Sequence, residues 1–242
     1  MRNIFLRWRN LRRLPSAWLL MLQLTMLLIL PFTTGSLNSN ATIWGLGTLV
    51  LLLIAVIIRR SPIYSTVGLG LVLSALLLSV TLMLGYTSTY LQVVSNLVEA
   101  AAYIYAAAGL LMYMFADRYL TSDELFAAAA VFTLFAWAFA FLYNACQIIY
   151  PESFSLAGEP VRRSWVELLF LSFSVQSNTG LSDLVPATPQ ARMLVALQMF
   201  VGVMYLTLIV SRLVTLHYVR NRPVHEVHEQ NENVRNKADE ES

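Results

Sequence analysis

Charge is what this chain lacks most. Only 12% of its 242 residues are Asp, Glu, Lys or Arg, and 57% are hydrophobic. A water-soluble domain carries about 25% charged residues, so an ordinary soluble fold is excluded. The formal net charge is only +2, which gives no basic surface for nucleic acid. Cysteine is almost absent: the single Cys146 lies inside an apolar run, so there is no disulfide framework. Metal-ligand spacing is missing too. His225 and His228 stand three residues apart in a polar tail, where a solvated segment is the simpler reading. No pattern of nucleophile, base and acid suggests an enzyme, and none suggests a cofactor.

What is present is a series of apolar runs near the roughly 20 residues that cross a bilayer. Six spans are read: Ala17–Leu30, Ile43–Ile58, Ile63–Leu84, Leu91–Ala116, Leu125–Ile149 and Met193–Leu216. Ser61-Pro62 supplies an N-cap with proline at the first helical position. Thr121-Ser122-Asp123-Glu124 and Ser164-Trp165-Val166-Glu167 have the form of capping boxes. Basic residues cluster at Arg2–Arg13, Arg59-Arg60, Arg118 and Arg212–Arg222, and are missing from Gly35–Ala41 and Gly85–Tyr90. By the positive-inside rule both termini are cytoplasmic. Arg162, Arg163 and Arg192 fall on the outer side against that rule. The basic start and first apolar run also fit a signal peptide, but no small-residue cleavage site follows. The tail, 219–242, is polar and short of apolar residues, the composition of a disordered segment.

Between the last two spans lie a short amphipathic run, Trp165–Val175, and then Ser177-Asn178-Thr179-Gly180-Leu181-Ser182-Asp183-Leu184-Val185-Pro186. A helix that stops partway, followed by irregular chain, is tolerated at membrane depth only where protein buries it or water lines it. Copies of such a loop around an axis can replace the hydration shell of a cation with carbonyl oxygens. The short helix would add the partial negative charge of its C-terminal end, near Val175-Gln176.

These residues resemble the potassium-channel superfamily, whose filter reads Thr-Thr-Val-Gly-Tyr-Gly-Asp-x-x-Pro. Phe170–Val175 resembles the end of its pore helix, Asp183–Arg192 the segment climbing out of the filter, and Gly202–Leu206 its inner helix, with Gly202 at the gating-hinge position. The resemblance covers most of Asp117–His217. It implies an all-α membrane protein with six transmembrane helices and a re-entrant pore helix and filter loop between helices five and six. It also implies a homotetramer in a bilayer, a bacterial inner membrane as location, and no enzyme activity. The domains expected are a four-helix unit over 1–116, a pore domain over 117–218 and the tail.

The resemblance assigns the ion filter to Ser177, Asn178, Thr179, Gly180, Leu181, Ser182 and Asp183, with K+ or Na+ held at Asn178, Thr179 and Gly180. Ser174 stands where the family's pore helix steadies the aspartate, and Glu167 supports the helix as its cap. The departures matter. Asn178 replaces threonine and Thr179 replaces valine. Leu181 replaces tyrosine, and Ser182 replaces a glycine whose backbone conformation disfavours a Cβ by about 1–2 kcal/mol. A widened outer filter and weak discrimination between potassium and sodium are therefore expected.

Other readings stay open: a strongly potassium-selective pore using the Thr179-Gly180-Leu181 carbonyls, a pore-like scaffold that does not conduct, or an anion path using Asn178 amides. Leu91–Ala116 holds no Lys or Arg and so lacks the moving charge of a voltage sensor. It carries Glu99 instead, either an intramembrane sensor or a group bonded to Tyr103 or Gln23. Asn144 and Gln147 are expected against the pore helix or an interface, and the outer arginines with Glu152 and Glu159 as a solvated rim.

Overall fold

The computed structural model describes residues 15–33, 65–86, 88–116, 122–155 and 162–220. Six helices and one pair of two-residue strands lie within them: α1 (Pro15–Thr33), α2 (Ser65–Met83), α3 (Thr89–Ala116), α4 (Ser122–Ile149), β1 (Phe154–Ser155), α5 (Trp165–Gln176), β2 (Val185–Pro186) and α6 (Pro189–Arg220). Three of these, α3, α4 and α6, are long and apolar enough to cross a membrane, while α1 and α2 have shorter apolar stretches. The expected span Ile43–Ile58 and nearly all of the tail lie outside the described residues.

The helices are held by narrow stripes at helical spacing. In α1 the stripe is Ser16, Leu19, Gln23, Met26 and Leu30, and it packs on α4. In α2 the buried positions are Gly68, Val72, Ala75, Ser79 and Leu82, facing α3. A Cβ on Gly68 would come within 2.8 Å of the Tyr105 ring, so glycine lets these two helices approach. In α6 the stripe runs Ala191, Val195, Gln198, Gly202, Tyr205, Ile209. Spacings of three and four keep one face on a neighbour. The opposite faces carry Leu28, Phe32, Leu77, Phe200 and Val210, all exposed. That is the pattern of helices set in lipid or against further chains.

α4 is the centre. It packs against α1, α3, α5 and α6, and its alanines at 127, 128, 130, 136, 138 and 140 are buried. Small residues let helix backbones close up in a membrane. Phe141 and Trp165 then bring α4 to the start of α5, with ring centroids 4.4 Å apart.

Helix ends follow local chemistry. Ser88 caps α3, its hydroxyl accepting from the Leu91 N–H at 3.2 Å. The capping box read at Ser164 is present: Glu167 N–H donates to Ser164 Oγ, and Ser164 N–H donates to Glu167 Oε2 at 2.7 Å. Thr188 caps α6 through the Ala191 N–H at 3.3 Å, with Pro189 at the first helical position. The box expected at Thr121–Glu124 turns on Thr121, which lies outside the described residues. The two carboxylates also reach other helices. Asp123 accepts from the Ser16 N–H at 3.2 Å and the Ser16 hydroxyl at 3.0 Å, capping α1 from 107 residues away. Glu124 pairs with Arg212 of α6.

Candidate ion-conduction loop

α5 stops at Gln176 because the chain turns left-handed at Asn178, where φ is 56°. Asn178 N–H donates to the Val175 carbonyl at 3.1 Å, and Thr179 N–H to the Ser174 carbonyl at 3.1 Å. This pair of bonds around a left-handed residue is the Schellman motif. α2 ends the same way at Gly85, φ 95°, whose N–H reaches Leu82 while Tyr86 reaches Thr81. Asparagine is the side chain that best tolerates the position glycine usually takes.

The rest of the loop folds onto this cap. Gly180, at φ 64°, also donates its N–H to the Ser174 carbonyl, at 3.4 Å. Ser177 N–H reaches the Phe173 carbonyl at 3.0 Å. The Ser177 hydroxyl bonds Phe173 O at 2.7 Å and lies 3.0 Å from the Thr179 hydroxyl. Ser182 N–H donates to Ser174 Oγ at 3.1 Å, and its own hydroxyl accepts from Leu184 N–H at 3.2 Å. Five backbone donors of the loop thus point back to α5. No hydrogen bond among the described residues reaches a carbonyl oxygen of residues 177–183. The loop has most of its backbone donors turned toward α5 and its acceptors left open among the described residues.

Two expectations are corrected here. The left-handed residues are Asn178 and Gly180, and Ser182 is not among them, so its Cβ meets no backbone strain. The Ser174 hydroxyl holds the Ser182 N–H, and Asp183 stands exposed beyond it. Ser174, Ser177, Asn178, Thr179, Gly180 and Ser182 form one knot. Leu181, 70% exposed, points away from its own chain. Glu167 is at the far end of α5 and acts only through the cap.

After the loop, Leu184 enters a core with Phe139, Tyr143, Phe154 and Leu168. Val185 and Pro186 pair antiparallel with Ser155 and Phe154, and Ala187 N–H bonds Ser153 O at 2.9 Å. The outer arginines divide. Arg162 and Arg192 are exposed, but Arg163 is buried, its Nε donating to the Phe154 carbonyl at 3.2 Å. Arg163 is therefore a strut of the turn between α4 and α5, and does not belong to the solvated rim expected of it. Gln147 pairs with the Arg163 backbone twice, at 3.0 and 3.1 Å, just ahead of the Ser164 cap. Asn144 donates to Asn96 on α3 at 2.8 Å. Glu152 is exposed, and Glu159 lies outside the described residues.

Gly202 lies within unbroken helix against the end of α5, where a Cβ would come 2.6 Å from the Gln176 carbonyl oxygen. Glu99 is far from the loop in sequence and packing, on α3 facing α2. The Ser79 hydroxyl donates to it at 3.3 Å, and Gln23 is bonded instead to Thr133 at 2.6 Å. The buried amides and hydroxyls Gln176, Gln198, Ser172 and Tyr143 were missed by the reading of the sequence. Their signal was there: polar side chains inside apolar runs are costly unless they bond one another.

With that geometry in view, the comparison with known families is informative. Residues 125–217, which run from α4 through the loop into α6, match the family model described as "Ion channel". No curated protein and no solved structure matches the chain. The match over residues 125–217 and the apolar helices support an integral membrane protein with a region similar to an ion-channel domain.

Proposed function

We propose that the chain forms a homotetrameric channel for monovalent cations, with residues 177–183 ringing the conduction path and Asn178, Thr179 and Gly180 nearest the ion. The observation that carries this reading is the polarity of the loop: five of its seven backbone N–H groups are bonded to α5, while no hydrogen bond among the described residues reaches its carbonyl oxygens. Carbonyl oxygens suit K+ or Na+, and the backbone N–H groups of Ser177, Asn178, Thr179, Gly180 and Ser182, bonded to α5, are turned away from an anion. One loop cannot close a ring, and its exposure within a single chain is what further copies would cover. A six-span subunit, with both termini cytoplasmic in a bacterial inner membrane, fits the basic-residue distribution.

The loop lacks the tyrosine of the potassium pattern, and Leu181 is largely exposed among the described residues. Potassium selectivity is accordingly weak in this proposal. Glu99, outside the pore module, is given no part in permeation. Reconstitution in liposomes tests the reading. K+ and Na+ flux of similar size, with no chloride flux, is the expected result. A strong potassium preference in bi-ionic reversal potentials would remove the weak-selectivity part. Chloride flux, or none from assembled protein, would remove the channel assignment proposed here.

A further inference from the structure

Gln198 sits in the apolar middle of α6 and is fully buried. Its Nε2 donates to the Ser172 carbonyl at 3.0 Å, the Ser172 hydroxyl at 2.7 Å and Gln176 Oε1 at 3.0 Å. Its Oε1 accepts from the Tyr143 hydroxyl. The network closes on α4: Gln176 Nε2 bonds the Phe132 carbonyl at 3.0 Å, and the Ser172 hydroxyl bonds the Ala136 carbonyl at 2.7 Å. Every polar atom of both glutamine side chains is used. In a low-dielectric interior a fully satisfied network rigidifies what it joins, because each broken bond strands a polar group.

Gly202 lies one helical turn beyond Gln198 and touches the same residue. A side chain there would meet the Gln176 carbonyl oxygen at 2.6 Å and its Cα at 3.2 Å. Gln176 is thus gripped by Phe132 on α4, by the Gln198 amide and by the bare backbone of α6. It is the last residue of α5, next to Ser177 and two before the left-handed Asn178. α6 cannot slide or turn at this level without carrying Gln176 or breaking the network.

We propose that Gln198 and Gly202 are positioning residues that clamp Gln176, so that displacement of α6 is transmitted to the ion loop and changes its ion preference. The glycine at 202 is what permits this close contact in a helix that is continuous here. The inference rests on the loop being the conduction path.

The test uses the full-length protein reconstituted in planar bilayers, with reversal potentials in K+/Na+ gradients. Gln198→Leu removes the bonds, and Gly202→Ala keeps them but pushes on Gln176. Each is expected to shift the K+/Na+ permeability ratio about two- to thirtyfold, the range for mutations that alter coupling between sites. Tyr205→Phe is the control: it removes a bond from the same stripe of α6 to the Ala128 carbonyl while leaving every contact to Gln176 in place, and the ratio should stay. An unchanged ratio in assembled Gly202→Ala overturns the clamp, as does an equal shift in Tyr205→Phe. If Gln198→Leu does not assemble, Gly202→Ala decides alone. Absence of cation current in the unmodified protein would instead overturn the conduction reading, a distinguishable failure.

Discussion

Arg212, late in α6, approaches Glu124 at the start of α4 to 3.5 Å, with the carboxylate side chain 1% exposed. The same guanidinium donates to the Met114 carbonyl at the end of α3 and lies 4.9 Å over the Phe115 ring. Next to Glu124, Asp123 caps α1. Two adjacent carboxylates therefore bind the first and last described helices to α4. Removing one partner of a buried pair leaves the other charge uncompensated, at about 3–5 kcal/mol. Glu124→Ala should lower the thermal midpoint of the detergent-solubilised protein strongly. Asp123→Ala should lower it less, because a lost cap costs only about 1 kcal/mol of stability. Equal midpoints for Glu124→Ala and the unmodified protein would mean the pair contributes nothing.

A second prediction concerns the end of α5. Asn178 holds a left-handed backbone with φ of 56°. Asn178→Gly should leave stability within about 0.5 kcal/mol, since glycine takes this conformation freely. Asn178→Thr, the residue of the potassium-filter pattern, should cost about 1–2 kcal/mol because a Cβ-branched side chain opposes it. Chemical denaturation of the purified protein reads the difference. A threonine variant as stable as the glycine variant would show that the assembled loop does not keep this turn.

The start of α5 makes a third. Ser164 and Glu167 cap each other's backbones. Ser164→Ala should cost about 1 kcal/mol and leave ion preference unchanged, because the cap lies a full helix from the loop. A changed reversal potential would mean that the pore helix moves as a rigid lever about its outer end.

Much of this was readable from residues alone. Five of the six spans have helices in the described chain, and the capping box at Ser164 was written in its four letters. Local hydrogen-bond chemistry and apolar run length are short-range signals, and they survive folding. What was hidden is long-range. Asp123 and Glu124 also have Ser16 and Arg212 as partners, 107 and 88 residues away, which no local pattern announces. Ser182 was aligned to a glycine by position, but a backbone dihedral is not a property of an aligned letter. Here the chain places its left-handed turns at Asn178 and Gly180, and Ser174 ties Ser182 down. Gln198 is a single polar letter in an apolar run and Gln176 stands at the polar end of another, and their pairing depends on how α5 meets α6.

That difference at Ser182 gives the last prediction. If a strained Cβ at position 182 weakened selectivity, Ser182→Gly would restore potassium preference by itself. In the structure Ser182 is not left-handed, and its N–H is bonded to Ser174 Oγ at 3.1 Å. Ser182→Gly releases no strain; it deletes the hydroxyl that accepts from Leu184 and adds backbone freedom, at a cost of up to about 1 kcal/mol. Reversal potentials for this variant should equal those of the unmodified protein. Leu181→Tyr differs, because position 181 is 70% exposed in one subunit and a phenol there can reach a neighbouring copy. Any shift toward potassium should come with Leu181→Tyr, alone or combined with Ser182→Gly. A shift from Ser182→Gly alone would mean that assembly reorganises the outer loop into the strained conformation after all.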